Sequence, residues 1–401
     1  GDGSSTQLSG MPRAERSRPG RRHPNWLPVP SPSEDPGHWQ YPRSVTGVFD
    51  IVTTEGFEQV AYFHDSATGL KAIVAIHSTA LGPALGGTRF YPYASEDDAL
   101  VDVCRLAKGM TYKHAVCGND LGGGKAVIIG DPATVRSEAL LRAYGRFVEG
   151  LSGRYLTAED VGTTQADMDL IRRETAHVTG VSESLGGSGD PSPATAWGVL
   201  WAMKAVAERL WGSPSLAGRH VCISGVGKVG GALAGHLADE GAKLSVADVQ
   251  QSAVDGVVER HGAVAVTPEA AHAVACDIFS PCALGAVLNA STIPEVRCDA
   301  VVGSANNQLA SLADAERLRH RGVVYAPDFV ANAGGVINIA EEPHGYDHAR
   351  AYDRIRSIHD TLLRVFDRAE ADGITTAAAA DRLAEERIAS VSHTRLIRIG
   401  R

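Results

Sequence analysis

No two of the six cysteines are spaced as CxxC, and no HExxH or clustered Cys/His pattern occurs anywhere in the chain. A zinc site therefore lacks its usual ligand spacing, and no metal is expected. Cys104, Cys117, Cys222, Cys276, Cys282 and Cys298 mostly lie in apolar stretches and read as small buried hydrophobes rather than as a disulfide framework. No apolar run approaches the roughly 20 residues needed to span a bilayer. No charged-then-apolar segment resembles a secretory signal. A formal net charge of −9 withholds the basic surface that non-specific nucleic-acid binding needs. Internal repeats are absent, and Gly122-Gly123-Gly124-Lys125 fails the GxxxxGK[ST] pattern of a phosphate-cradling Walker loop. These absences leave a cytoplasmic protein without membrane or nucleic-acid partners as the expectation.

What is present fits a folded protein of more than one domain. Hydrophobic residues make up 44% and charged residues 21% of 401, the ordinary globular balance in a chain long enough for two domains. Residues 1–45 stand apart, holding eight of the nineteen prolines and six arginines with little apolar periodicity. Such a segment buries too little surface to offset its ordering entropy, so an extended or disordered arm is expected. From Thr46 the texture is α/β. Ala72 to Ile76 reads as a strand, and Ser95 with Asp98 resembles a helix-opening capping box. Ala99, Leu100, Val103, Leu106, Ala107 and Met110 recur at helical spacing, with Lys113 just past that helix. The glycine run is expected as a loop, followed by a strand over Ala126–Ile129, a helix over Glu138–Leu151 and a strand ending near Thr157.

The turn-rich GGSGDPSP stretch at 186–193 marks a hinge, followed by a helix over Thr195–Trp211. Short apolar strands are expected at His220–Ser224, Lys243–Val249, Asp277–Ser280, Ala300–Gly303 and Val323–Ala326, with two amphipathic helices over Ala349–Ser392. The fold class is α/β in two domains with a cleft between them. Residues 46–185 form a substrate and catalytic domain, and 186–348 a Rossmann-type, doubly wound parallel unit. Residues 349–401 are helices that pack back on the first domain.

His220–Ser224 runs directly into Gly225-Val226-Gly227-Lys228-Val229-Gly230, with a helix expected from Gly231. Gly225 permits the tight turn, Gly227 lets backbone approach a pyrophosphate, and Gly230 lets helix and strand pack closely. Asp248 stands 18 residues beyond Gly230 at the next strand end, where a carboxylate accepts from ribose hydroxyls and repels a 2′-phosphate. NAD is the expected cofactor, although a strand-end turn is the plain alternative for Asp248, as solvation is for Lys228. In the first region Lys125 follows three glycines. Apolar surroundings there favour the neutral amine that a general base near neutral pH requires. Lys113 is a candidate carboxylate anchor, and Asp160, beyond a strand end, is either a site residue or a helix cap.

Several strings then occur in order: LGPALGGTR (Leu81–Arg89), GMTYK (Gly109–Lys113), LGGGK (Leu121–Lys125), TAEDVGTT (Thr157–Thr164), PCALG (Pro281–Gly285), ANNQL (Ala305–Leu309) and YAPDFVANAGGVIN (Tyr325–Asn338). Through them the chain resembles the glutamate/leucine/phenylalanine/valine dehydrogenase family, most closely its leucine and valine enzymes, over about Thr46 to Ile388. The resemblance implies that Lys113 binds the substrate α-carboxylate with backbone near Gly86 and Gly87, that Lys125 activates water, and that Asp160 exchanges protons with the substrate nitrogen. It assigns Asn307 to the amino group and nicotinamide ribose, Thr195 to the nicotinamide carboxamide, and Ala283 to the cofactor. It implies hydride transfer from Cα, water addition to the resulting iminium, and collapse to ammonium and a 2-oxo acid in a cleft closed to water. Homo-oligomers are implied as well.

Glutamate-specific members of that family carry a lysine just before the paired glycines, where this chain has Leu85. With Ala158, Val336 and Ile339 at the other matching positions, the side-chain pocket is expected to be apolar, and a buried carboxylate would be costly there. Ile339 fills a position often held by valine, which favours small branched chains. Asp120, next to the glycine run, is expected to point away from Lys125. Two other readings are a relative acting on an aromatic or unusual amino acid, and a catalytically silent NAD-binding sensor.

Overall fold

Strand alternation determines which side chains reach the site, and it does so in a computed structural model that describes Gly1, residues 47–283 and residues 285–394. The arm expected over 1–45 lies, Gly1 aside, outside the described residues. In chain order the first part comprises α1 (Val48–Glu55), β1 (Gln59–Asp65), β2 (Leu70–Ser78), β3 (Ala84–Tyr91) and α2 (Glu96–Val116). There follow β4 (Gly122–Ile129), α3 (Pro132–Val135), α4 (Glu138–Glu149), β5 (Tyr155–Glu159) and α5 (Gln165–Ile171). Its sheet has the order β1-β2-β4-β3-β5. β1 and β4 flank β2 antiparallel, and β3 is parallel to both β4 and β5.

The second part runs through α6 (Ser192–Trp211), β6 (His220–Ser224), α7 (Lys228–Asp239), β7 (Lys243–Ala247), α8 (Gln251–His261) and β8 (Val264–Ala265). It continues with β9 (Ile278–Pro281), β10 (Ala300–Val301), α9 (Leu312–His320) and β11 (Val324–Tyr325). This sheet is parallel throughout, in the order β11-β10-β9-β6-β7-β8. The chain then forms α10 (Asp328–Ala331), α11 (Gly334–Ile339), α12 (His348–Arg356), α13 (Ile358–Asp372) and α14 (Thr376–Thr394). The two-domain α/β class is as expected. Among the described residues no helix is long and apolar enough to cross a membrane.

In the first sheet the period of two sorts side chains between two cores. Ala72, Val74 and Ile76 of β2 join Leu140 and Tyr144 of α4, while Ile73 and Ala75 join Ala99, Val103 and Ala107 of α2. The same alternation in β4 sends Ala126 and Ile128 toward α4 and Val127 toward α2. Lys125, two residues before Val127, therefore lies on the α2 face. Ser95 caps α2, its hydroxyl accepting the Asp98 N–H at 3.0 Å, and Glu96, Asp97 and Asp98 complement the helix dipole.

Several local expectations are corrected. The glycine run is not a loop but the start of β4, and Lys113 sits within the last turn of α2 rather than past it. Both shifts have one cause: without side chains, the glycines let α2 lie directly on the strand. A Cβ on Gly123 would fall 2.1 Å from the Thr111 backbone nitrogen. β1 and β3 were not anticipated, because β3 is built from the glycine- and proline-rich LGPALGGTR string. α6 begins at Ser192, α7 begins at Lys228 rather than Gly231, and the tail holds three helices rather than two. Of these, α14 packs on α2, with Arg387 donating to the His114, Ala115 and Asn119 carbonyls, while α12 and α13 lie against α6.

The Gly123 approach gives a direct test. Gly123→Ala forces α2 off β4, and overpacking of this kind destabilises by about 1–3 kcal/mol. A lowered Tm, with loss of activity in the protein that remains folded, is the expected outcome; a variant with unchanged melting and turnover contradicts the packing described.

Candidate active site

β3, β4 and β5 present one row of side chains to the cleft. The parallel register pairs Leu85 with Leu156 and Gly87 with Ala158, and just past the end of β5 the Asp160 Cβ lies 2.9 Å from the Gly87 Cβ position. Lys125 rises from the adjacent β4, and Lys113 approaches from α2. Leu85, Gly87, Lys113, Lys125, Ala158 and Asp160 line a cavity of about 350 Å³. Its far wall comes from the second domain: Asn307, Val336 and Ile339 face the same space, together with Asn306, Asp328 and Phe329.

Lys125 and Asp160 form an ion pair, both almost withdrawn from solvent. The apolar surroundings expected around Lys125 are thus only part of its environment, because a carboxylate faces the amine. Burial pushes the Asp160 carboxyl up, but Lys125, Arg89 and the Val161 N–H outweigh it and hold the group at about 2. Backbone contacts fix the carboxylate as well. Val161 N–H donates to Asp160 Oδ1 at 2.6 Å, and Asp160 N–H donates to the Thr163 hydroxyl at 2.8 Å. Asp160 therefore lines the cavity and does not cap α5, whose cap is Thr164 with Asp167.

Lys113 Nζ donates to Asn332 Oδ1 at 2.6 Å across the cleft. Asn332 Nδ2 in turn donates to Asn306 Oδ1 at 2.8 Å and to the Ser304 carbonyl at 3.1 Å. Burial, the largest cause, pushes the Lys113 ammonium down from the ordinary lysine value. An incoming carboxylate would reverse that penalty. Asp120 does point away, bonded to Arg387 at 2.7 Å on the outer side.

The apolar end of the cavity is shared between the domains. Leu85, Leu121, Leu156 and Ala158 from the first domain cluster with Ile339 and Ala340 from the second, with Met110 packed beside them. Gly86 is the exception among the expected substrate contacts, being absent from the cavity wall. Its carbonyl accepts the Tyr155 hydroxyl at 2.6 Å, and a Cβ there would lie 1.8 Å from the Gly124 oxygen. Gly86 is consumed by packing between strands; Gly87 lines the site.

The glycine-rich turn after β6 has the shape that a dinucleotide requires. Gly225 takes φ 102°, and a Cβ there would meet Ala283 N at 2.7 Å. A Cβ on Gly230 would strike the Gly225 oxygen at 1.9 Å, so α7 rests directly on the turn. Gly227, the N-cap of α7, has nothing within 4 Å of its Cβ position. The first-turn N–H groups of Lys228, Val229 and Gly230 have no intrahelical acceptor and suit a pyrophosphate. Asp248 Oδ2 accepts the Val226 N–H at 2.8 Å and Oδ1 the Gln250 N–H at 2.9 Å, so its carboxylate braces the turn it was expected to serve. Lys228 bonds to Asp190 at 3.0 Å on the surface, and the Val229 side chain packs on the domain core. The Thr195 hydroxyl donates to the Pro191 carbonyl at 3.0 Å, beside Gly335 of α11. Asn307 adopts φ 52°, a left-handed conformation tolerated by asparagine.

Sequence reasoning left Arg89 and Asn332 without a role. Both lie inside strings already singled out, Arg89 at the end of LGPALGGTR and Asn332 within YAPDFVANAGGVIN. Strand period marks Arg89, two residues past Gly87, as a residue of the same face.

Comparison with known proteins places the chain in a family. A family model described as "Glu/Leu/Phe/Val dehydrogenase, dimerisation domain" matches residues 58–177, and one described as "Glutamate/Leucine/Phenylalanine/Valine dehydrogenase" matches 186–258 and 244–395. The chain is 53% identical over 348 residues to a leucine dehydrogenase of Bacillus cereus, covering 87% of this chain and 95% of that one. Identity to a valine dehydrogenase of Streptomyces coelicolor is 55% over 337 residues, covering 83% and 93% respectively. The crystal structure of L-tryptophan dehydrogenase from Nostoc punctiforme superposes with a TM-score of 0.78 at 42% identity, covering 86% of this chain and all of that one. With the turn after β6, the paired lysines and these matches together, the chain belongs to the Glu/Leu/Phe/Val dehydrogenase family and is an NAD-dependent amino-acid dehydrogenase.

Proposed function

We propose that the chain oxidatively deaminates a small branched-chain aliphatic L-amino acid (valine, leucine or isoleucine) to the 2-oxo acid, ammonium and NADH, and runs the reverse reductive amination. The observation that carries this reading is one cavity with two lysines and Asp160 at its polar end and an apolar end walled by Leu85, Ala158, Val336 and Ile339. A substrate with a carboxylate and amino group at one end and a hydrocarbon at the other matches both. A second carboxylate in the apolar end would be buried without a partner. Identity above 50% to leucine and valine dehydrogenases supports the same choice.

When bound, NAD supplies the acceptor for the hydride leaving the substrate Cα. Gly225, Gly227 and Gly230, with the start of α7, suit its pyrophosphate, and Asp248 its ribose. Lys113 binds the α-carboxylate. Lys125 takes the proton from the water that attacks the oxidised Cα. Asp160, held ionised by its neighbours, moves protons on and off the substrate nitrogen. Asn307 orients the amino group, and the apolar wall excludes bulk water from the reacting atoms. A homo-oligomeric enzyme is part of the proposal, supported by the dimerisation description of the model that matches residues 58–177.

An aromatic substrate is the second reading, favoured by the 42% identity to the tryptophan enzyme. An absorbance assay for NADH over a panel of amino acids separates the two. Valine, leucine and isoleucine should outpace phenylalanine and tryptophan by roughly 10-fold or more, the scale on which an apolar pocket discriminates by size. Faster turnover of tryptophan supports the second reading, and no NADH from any amino acid rejects both. Lys125→Ala should lose about 100-fold or more in kcat while NAD affinity is retained; an undiminished rate rejects the water-activating role.

Lys113 adds a pH dependence with a defined sign. Its ammonium must be present to bind a carboxylate, and burial lowers its pKa from the ordinary 10.5. KM for the 2-oxo acid should be low below that lowered pKa and rise as pH climbs through it, a limb starting below the usual lysine range. Lys113→Met should raise KM and abolish the limb, measured by initial rates from pH 7 to 10.5. A limb that persists in the variant belongs to another group.

A further inference from the structure

Beside the ion pair that the proposed mechanism uses lies a second buried charge cluster that it does not. Asp102, 2% exposed in the middle of α2, accepts from Arg89 Nη1 at 2.8 Å, from the Tyr93 hydroxyl at 2.6 Å and from Arg105 Nη2 at 3.0 Å. Asp160 lies beside Gly87, whose Cβ position is 2.9 Å from the Asp160 Cβ, and Arg89 is the next residue of β3 on that face. Two charge groups thus meet in one cavity wall, Arg105–Asp102–Arg89 and Asp160–Lys125. Arg89 and Arg105 both line the substrate cavity.

The arrangement differs from a structural clasp in one respect. Arg89 Nε is buried and has no hydrogen-bond partner. A guanidinium used only to tie α2 to β3 has no reason to leave a desolvated donor unused at the edge of a reaction cavity. Its remaining field falls on Asp160, and Asp160 in turn is the largest favourable influence on the Arg89 charge.

We propose that Arg89, anchored by Asp102, is a positioning residue that keeps the Asp160 carboxylate oriented toward Lys125 and the substrate nitrogen. This rests on the deamination reading above, in which Asp160 handles protons. The role explains why a fully buried carboxylate with three donors sits on the helix that also carries Lys113: Asp102 fixes Arg89 in the cavity wall that also holds the Lys125–Asp160 pair. Substrate carboxylate binding is assigned to Lys113 and cofactor binding to the turn after β6.

The test is a split between kcat and KM in the full-length enzyme, with NADH formation from the best amino acid of the panel as readout. Arg89→Met should lower kcat about 100-fold, the scale of a lost general acid–base contribution, with KM for amino acid and NAD within about threefold of wild type. Arg89→Lys restores a cation and should recover about tenfold of that loss. Asp102→Asn, which keeps the cation but loosens its anchor, should fall between them. A folded Arg89→Met enzyme with kcat within about threefold of wild type overturns the proposal, as does a loss that Arg89→Lys fails to repair. Should Arg89→Met lose its cooperative melting transition, Arg89→Lys against wild type decides: lowered kcat at constant KM supports the role, and unchanged kcat overturns it. A wild-type enzyme inactive on every amino acid instead rejects the deamination reading itself, so the two failures are separable.

Discussion

The parallel register of β4, β3 and β5 is the constraint on which the rest depends. Because side chains alternate with a period of two, a one-residue slip would turn Lys125, Leu85, Gly87, Ala158 and Asp160 into the α4 core and replace them with hydrocarbon. The register is pinned from both sides. The α4 face is filled by Phe90, Ala126, Ile128 and Tyr155, and the α2 face closes on Gly123, where only a glycine lets the helix approach. Fold stability and site geometry are thus set by the same alternation.

That geometry gathers charge where charge is costly. Lys125, Asp160, Lys113, Arg89 and Asp102 are all buried or nearly so, and an isolated buried ion is strongly destabilising. The cost is met pairwise: Asp160 by Lys125 and Arg89, Asp102 by Arg89, Arg105 and Tyr93. Lys113 is hydrogen-bonded to a neutral group, the Asn332 amide, and burial lowers its proton affinity despite the pull of Asp328 and Asp160. The proposed substrate carboxylate is the missing counter-charge. The cation left under-compensated in the free site is then the one that a ligand completes.

Much of this was legible in the sequence. The turn after β6 was readable because its glycines sit between a strand and a helix, and Gly225, Gly227 and Gly230 each occupy the steric situation their spacing implies. Lys113, Lys125 and Asp160 were readable from their strings, and their convergence follows once the strand faces are known. What escaped did so for physical reasons. β3 carries a proline and three glycines in and before it, which local propensity reads as turn. Gly86 was taken for a site residue because nothing in a sequence distinguishes a glycine needed by a ligand from one needed by a neighbouring strand. Asp248 was expected to face the ribose, yet its oxygens also hold the turn together, a dual use visible only in three dimensions. Asn332 bonds to Lys113 from 219 residues away, beyond any local pattern.

The central claim is that one cavity binds a carboxylate and an amine at the Lys113–Lys125–Asp160 end and a hydrocarbon at the other. A crystal structure with NADH and the 2-oxo acid of leucine tests it most directly. The account predicts the carboxylate on Lys113, the carbonyl carbon between Lys125 and Asp160, and the isobutyl group among Leu85, Ala158, Val336 and Ile339. A ligand seated in the reverse sense, or with its carboxylate on a different cation, would contradict it.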